Sequence, residues 1–273
     1  MKPPSRFKGF PNLRKLHIQS VHASRKDLEH VLSSSCNLEW LKIDRCDLND
    51  ELTVNGLLTH LRYLHVEYCK ITKIKFHALQ NVYINYSEAV FQQALTSLLK
   101  GLPNVRNLTL RIDGQHIEKQ WSRDNPLMFS HLRHLQLFML FSYCDDIDKI
   151  LYSVSFLKAT PIIEKLEIHF TGFRLWFADV GPRRQDFGQC KYKYLKSMCM
   201  TGFKAARGQV ELLLHVVENA PALEIVTINT KQQVCEELPP YGSSRPPPYE
   251  EAKKIAINCL SVALPQNVKF SVI

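Results

Sequence analysis

One six-residue pattern returns nine times along this chain and narrows what it can fold into: an apolar residue, two free positions, an apolar residue, one free position, an apolar residue. The copies are Leu13-Leu16-Ile18, Leu38-Leu41-Ile43, Leu61-Leu64-Val66, Leu79-Val82-Ile84, Val105-Leu108-Leu110, Leu132-Leu135-Leu137, Ile163-Leu166-Ile168, Leu195-Met198-Met200 and Leu223-Val226-Ile228. Successive copies start roughly 18–32 residues apart, the period range of repeat architectures. The last two apolar positions alternate with polar ones, the period of a strand with one buried face. One strand and one connection bury too little to be stable alone, so units recurring at this spacing must stack. Each Leu, Ile or Val buried between neighbours contributes roughly 1.5–3 kcal/mol before ordering entropy is subtracted.

This is the pattern of leucine-rich repeats. The expected fold is an α/β solenoid, a horseshoe with a parallel concave sheet and convex helices. Two units, LEWLKIDRC and LRYLHVEYC, carry the pattern to a ninth position at Cys46 and Cys69, where a small polar side chain can bond the backbone after the strand. Pro11, Pro103, Pro161 and Pro221 stand two residues before the first apolar position of a unit, where they end one connection and open the next strand. Helical stretches fit between units: EAVFQQALTSLLK behind Ser87 and ahead of Gly101, IDKILYSVSFLK behind Asp145 or Asp146, and VELLLHVVENA. The expected boundaries are a repeat solenoid over 1–230, a Pro-rich loop over 231–248 and a cap over 249–273. The cap reads as a helix with Ala252, Ile255, Ala256, Cys259 and Leu260 on one face, then a strand alternating Val268, Phe270 and Val272. At the other end only MKPPSRFK precedes GFPNLRKLHI. The first strand is expected to be an open apolar edge, to be covered by another domain, earlier repeats, a partner or a short arm folding back.

Composition excludes several classes. The net charge of +9 and pI near 9.1 permit weak attraction to acidic partners without marking a site. The eight cysteines form no C-x-x-C pair, and the N-terminus has no apolar leader. No apolar run approaches a membrane span. The expectation is an intracellular protein, in nucleus or cytoplasm, with reduced thiols and no membrane contact. No GxSxG, HExxH, Walker or GxGxxG motif is present, so no catalytic residue, metal ligand or cofactor is assigned. His131 and His134 fall on different faces of their strand, and the triplets Asn85-Tyr-Ser and Asn107-Leu-Thr lie in strands. The stretch FTGFRLWFADVGPRRQDFG, with Arg174, Arg183 and Arg184, reads as a long loop packed by its own aromatics, with a partner site as the alternative.

Positions flanking the buried pair of each strand face the concavity. Among them are four Lys or Arg (15, 42, 111, 165) and three acids (44, 67, 167), so positive charge does not follow a track as in a nucleic-acid groove. Aromatics anchor protein interfaces. The candidate partner-binding residues are Trp40, Lys42, Tyr63, His65, Tyr83 and Arg111, and the expected partner is a target protein on the concave face rather than nucleic acid.

The stretch LKSMCMTGFKAARGQVELLLHVVENAPALEIVTI resembles the FBD-type segment of plant F-box/leucine-rich-repeat proteins. It carries Thr201-Gly202-Phe203 at the strand end, Gly208 with Glu211-Leu212 in the helix, and Asn219-Ala220-Pro221-Ala222-Leu223-Glu224 at the junction. The FBD-like segment covers about 190–230, and EEAKKIAINCL…LPQNVKFSVI is similar to the family's C-terminal end. The resemblance implies the substrate-recognition part of a Skp–cullin–F-box ubiquitin ligase receptor, which is not an enzyme. No leucine-proline start and F-box helices are found ahead of Pro11, so a Skp-type adaptor is expected only if an F-box lies upstream. Two other readings stay open: a repeat scaffold unrelated to ubiquitination, and a small-ligand or phosphate sensor using Arg111, Lys42 and His65.

Overall fold

The computed structural model describes residues 10, 12–22, 25–46, 50–53, 58–69, 71–76, 79–86, 100–113, 128–141, 147–172, 190–231 and 249–273. The expected helix over 88–100, apart from its last residue, with its Ser87 cap, Pro11, Asp145 and Asp146, and most of the stretches 170–188 and 231–248 lie outside these residues. The chain divides into two compact units, Met1–Ile112 with Ser122–Leu132, and Asp113–Trp121 with Arg133–Ile273.

In the first unit, β1 (Lys15–Gln19), β2 (Trp40–Asp44), β4 (Tyr63–Glu67), β6 (Asn81–Tyr86) and β7 (Asn107–Asp113) pair in that order, all parallel. In the second unit the order is β8 (His134–Leu140), β9 (Lys165–Thr171), β10 (Ser197–Thr201), β11 (Ile225–Asn229) and β12 (Lys269–Val272), again all parallel. Equivalent repeat positions stand opposite each other without slippage: Leu41 meets Leu64 and Ile43 meets Val66, as Met198 meets Val226 and Met200 meets Ile228. This is the architecture of a leucine-rich-repeat solenoid, with the repeat trios as its core.

Eight of the nine trios are buried, from Leu38-Leu41-Ile43 to Leu223-Val226-Ile228. The exception is the first, since Leu13, Leu16 and Ile18 are only half-buried on the edge strand β1. The far edge mirrors it: in β12 and its approach Val268 is buried but Phe270 is exposed.

Strand after strand is entered through a recurring turn. The N–H of the first apolar residue donates to the carbonyl three residues back: Leu38 to Ser35, Leu61 to Leu58, Val105 to Leu102, Ile163 to Thr160, Leu223 to Ala220. Pro103, Pro161 and Pro221 therefore occupy the second position of a β-turn, which favours the φ that the proline ring already holds. One carbonyl then serves two N–H groups of the next repeat: Arg14 O takes Glu39 and Trp40, Glu39 O takes Arg62 and Tyr63, and Arg62 O takes Gln80 and Asn81.

The strands also end alike. Ser20, Arg45 and Tyr68, each the first residue after its strand, have φ of 52°, 50° and 50°, and Gly202 after β10 has φ 69°. A Cβ on Gly202 would lie 2.0 Å from the Phe170 carbonyl oxygen, so the chain passes there too closely for any side chain. Beyond this turn the two ninth-position cysteines act as expected. Cys46 N–H donates to Cys69 Sγ at 3.3 Å, and the thiols turn back to Asp44 O (3.3 Å) and Glu67 O (3.2 Å). Burial pushes the Cys69 thiol up to about 11, which suits a structural donor.

The convex connections depart from a uniform row of helices. Helix α1 (Arg25–Ser33) follows β1, but β3 (Asp50–Thr53) and β5 (Ile71–Lys75) form a parallel pair of their own behind the two shortest repeats. Four or five extended residues return the chain roughly 13–17 Å, whereas a helix needs about 9–11 residues for that distance. The repeats that start at Leu38 and Leu61 are the two shortest, and both contain a strand of this extended pair.

In the second unit a 3₁₀ turn (Ile147–Tyr152) runs into α2 (Ser153–Lys158), and α3 (Arg207–Asn219) fills the slot after β10. Fully buried Gln209 fastens the start of α3: its Oε1 accepts from Lys204 N (2.8 Å) and Ala206 N (3.3 Å), and its Nε2 donates to Gly202 O (3.0 Å). The cap helix α4 (Tyr249–Ala263) packs on α3, burying Ala252, Ala256 and Leu260, with Ile255 and Cys259 at the margin. Lys204 joins turn to cap, donating from Nζ to Thr230 O beneath the Tyr249 ring at 4.3 Å.

Candidate functional site

Alternation leaves three columns of side chains on the outward face of the first unit's sheet. The first column runs Lys15, Trp40, Tyr63, Asn81, Asn107; the second His17, Lys42, His65, Tyr83, Thr109; the third Gln19, Asp44, Glu67. Trp40 and Tyr63 are register partners on adjacent strands, and Tyr63 is 49% exposed. Further along the first column the Asn107 side-chain amide donates to Asn81 Oδ1 at 2.6 Å.

The middle of this face is knit around Glu67. Its Oε2 lies 3.3 Å from Lys42 Nζ and 3.1 Å from His65 Nε2, and the His65 ring stacks on Tyr83 with centroids 4.1 Å apart. Burial lowers the His65 pKa and outweighs the pull of Glu67, so the ring is neutral at pH 7 and gives its Nε2 proton to the carboxylate. Burial works to raise the Glu67 pKa, but the bonds from His65 and Lys42 prevail and hold it below the usual carboxylate range. Five of the six sequence-derived residues thus lie on adjacent strands: Lys42, His65 and Tyr83 linked through contacts, Trp40 and Tyr63 by register. Arg111 stands apart on β7, opposite Asn85.

Asp44, opposite Glu67, was not singled out by sequence. It is 6% exposed, and its Oδ1 has no hydrogen-bond partner among the described residues. The readable signal was its position: an acid in the third column directly beside another.

The second unit carries a polar network that the sequence reading left among its columns. Glu167 Oε1 accepts from Lys165 Nζ and from His134 Nε2 at 3.0 Å, and Oε2 accepts from Gln136 Nε2 at 3.2 Å. The same Gln136 amide lies 3.0 Å from His169 Nε2, and His169 Nδ1 lies 2.9 Å from Thr201 Oγ1. His169 is 3% exposed and stacks on Phe138 at 4.5 Å. Burial keeps His134 and His169 below the ordinary histidine pKa. A neutral His169 therefore accepts at Nε2 from Gln136 and donates from Nδ1 to Thr201. Burial pushes against Glu167 as well, but the Lys165 bond and charge win and depress its pKa. Behind the sheet, Tyr192 Oη and His215 Nε2 share a hydrogen bond at 3.0 Å, and burial forces the His215 pKa down to about 4.

Among the described residues no group of three His, Cys, Asp or Glu side chains converges as a metal site would require, and no helix is long and apolar enough to cross a membrane.

The repeat sheet, its turns and its outward columns now stand beside known proteins. The profile of the family "At1g61320/AtMIF1, LRR domain" matches residues 1–79 and 71–246. The chain belongs to this family. It is also similar to the F-box/FBD/LRR-repeat protein At1g13570 of Arabidopsis thaliana, with 22% identity over 247 residues, 84% of this chain. The chain spans 57% of the length of that relative. The relative's name carries the same FBD segment that Thr201-Gly202-Phe203 and Asn219 to Glu224 resemble.

Proposed function

We propose that this leucine-rich-repeat module binds a target protein on the outward face of its sheet, and serves as the substrate-recognition part of an F-box-type ubiquitin ligase receptor without performing chemistry itself. The observation that carries the reading is the first unit's outward face, where an exposed Tyr63 stands beside Trp40 and a half-buried polar cluster lies next to both. Aromatic anchors flanked by polar groups are what a protein-binding face needs. The ligase setting rests on the likeness to a protein named for an F-box, an FBD segment and repeats. A Skp-type adaptor is bound only if an F-box lies upstream of Met1, and the site of action is nucleus or cytoplasm.

The test is copurification of the full gene product, any upstream exon included, with a Skp adaptor and with its target from plant extract. The Trp40→Ala/Tyr63→Ala double variant is expected to lose at least about tenfold in target capture, the scale of two interface anchors, while adaptor capture is unchanged. Unchanged target capture overturns the assignment of this face. Target capture without any adaptor overturns the ligase setting and leaves a plain repeat scaffold.

The anion-sensor alternative is weakened by the same geometry. Lys42 and His65 both engage Glu67, and Asp44 adds a second carboxylate beside them. A flat melting temperature with inositol hexakisphosphate is the expected result.

A further inference from the structure

The strand entrances of the two units carry different charge. In each unit the residue after the first apolar position of the repeat belongs to a row, one per strand, tied across the stack by the shared carbonyls. In the second unit this row runs Arg133, Glu164, Lys196, Glu224, and its charges are matched. Arg133 pairs with Glu164, and Lys196 Nζ lies 3.9 Å from Glu224 Oε1. In the first unit the row runs Arg14, Glu39, Arg62, Gln80, Arg106, with a single acid among its arginines. That acid turns to Arg14, at 3.7 Å. Arg62 and Arg106 are exposed, and their guanidiniums have no acid partner among the described residues. Exposed Lys15 adds a further positive charge beside Trp40, its register partner. Lower on the same strands the charges are paired again, Lys42 with Glu67 and Arg45 with Asp44. A solvated arginine is ordinary by itself. Here the unmatched ones stand in one row, each next to a residue of the outward column that holds Trp40 and Tyr63.

We propose that an acidic segment of the target protein lies across this rim, its Asp or Glu carboxylates on Arg62 and Arg106 and its apolar side chains on Trp40 and Tyr63. This names the kind of partner for the protein-binding reading above and rests on it. Arg62 precedes β4 and Arg106 precedes β7, with β6 between them, so the two stand two strand steps apart, about 9–10 Å. Acids three positions apart in an extended segment recur at about 10 Å. Each guanidinium presents a planar fork to one carboxylate. Cations on alternate strands serve two separate carboxylates better than one compact phosphate. Glu39 and Gln80 interrupt the row, where a nucleic-acid track would continue its positive charge. The chain's net charge of +9 draws an acidic segment in, and the rim fixes where it settles.

The experiment is fluorescence polarisation of the full chain, at physiological ionic strength, with labelled degenerate nonapeptide pools. Their fourth and seventh residues are fixed as glutamate, glutamine, lysine or phosphoserine. The glutamate pool is expected to bind about five- to tenfold tighter than the glutamine pool, the weight of two exposed ion pairs. The phosphoserine pool should bind about as glutamate does, and lysine weakest. Arg62→Gln and Arg106→Gln each lower the glutamate preference, and the double variant abolishes it. Its melting temperature moves by less than about 2 °C, since both side chains are solvated. Arg133→Gln/Lys196→Gln removes the same positive charge from the second unit's matched row and leaves the preference intact. Equal loss in that control would reduce the effect to net charge and overturn the assignment, as would a preference that survives Arg62→Gln/Arg106→Gln. A phosphoserine pool more than about tenfold tighter than glutamate overturns it in favour of a phosphorylated segment, and oligouridylate binding tighter than the glutamate pool overturns it in favour of RNA. Pools that bind equally also overturn it; if that binding still needs Trp40 and Tyr63, the protein-binding reading survives. If no pool binds, the acidic assignment falls, and target capture by the Trp40→Ala/Tyr63→Ala variant decides the broader reading separately.

Discussion

At the scale of single residues, this fold depends on backbone conformations that side chains resist. The residue after the strand turns left-handed in repeat after repeat, and at Gly202 there is no space for a Cβ at all. Gly202→Ala combines a left-handed alanine with a 2.0 Å approach to Phe170 O, and is expected to destabilise by roughly 2–4 kcal/mol. Urea unfolding measures it, and a midpoint equal to the parent's would contradict the close approach. Ser20, Arg45 and Tyr68 occupy the same place with side chains intact, and Arg45 lies over the Tyr68 ring at 5.2 Å. The apolar trios were legible in the sequence because their alternation is independent of neighbours. The left-handed residues were not, since Ser, Arg and Tyr carry no turn signal. Asp44 was hidden for a related reason: sequence places it beside Glu67 but cannot say that Lys42 and His65 both turn to the other acid.

At the scale of elements, the connections are set by length. The short repeats starting at Leu38 and Leu61 return through the β3–β5 pair, and the helices stand behind longer ones. The spacings were readable from the start, yet a helical convex side was expected throughout, because repeat periodicity speaks for the strand and leaves the return path to chain geometry. Elsewhere sequence served better: α3 and α4 appear where their apolar faces predicted, and Pro103, Pro161 and Pro221 mark turns into strands. How α3 begins depends on Gln209, which no helix-start rule highlights behind Ala206. Gln209→Ala strands two backbone N–H groups and one carbonyl in the core, at a cost of about 2–4 kcal/mol. Hydrogen exchange should show the loss of protection first over 202–210, and uniform loss along the chain would speak against a local clasp.

At the scale of the whole molecule, burial of histidine sets the response to acid. His65, His134, His169 and His215 all have pKa values below the ordinary 6.5. Below that value the unfolded chain takes up protons that the folded chain refuses, so stability is full above about pH 6.5 and falls as pH drops. His215, with a folded pKa of about 4, removes roughly 3 kcal/mol between those limits and nothing further beneath them. The depressed Glu67 and Glu167 add their own loss at lower pH, in the same direction. The melting temperature should decline steadily from pH 7 to 5, and a His215→Gln variant should show a shallower slope. A constant value over that range would mean these rings titrate in the native state as they do in the unfolded chain.

The shared carbonyls at the strand entrances give this protein a mechanical character. In the first unit Arg14, Glu39 and Arg62 each clasp the next repeat through one oxygen, and strands lie side by side with their bonds directed across the stack. Tension applied across the strands loads one seam at a time, as peeling tape does, instead of shearing all together. Each seam that parts frees one repeat's worth of slack, about 60–90 Å of thread. Tugged from one side, such a stack lets out its length in stages while the repeats not yet reached keep their grip.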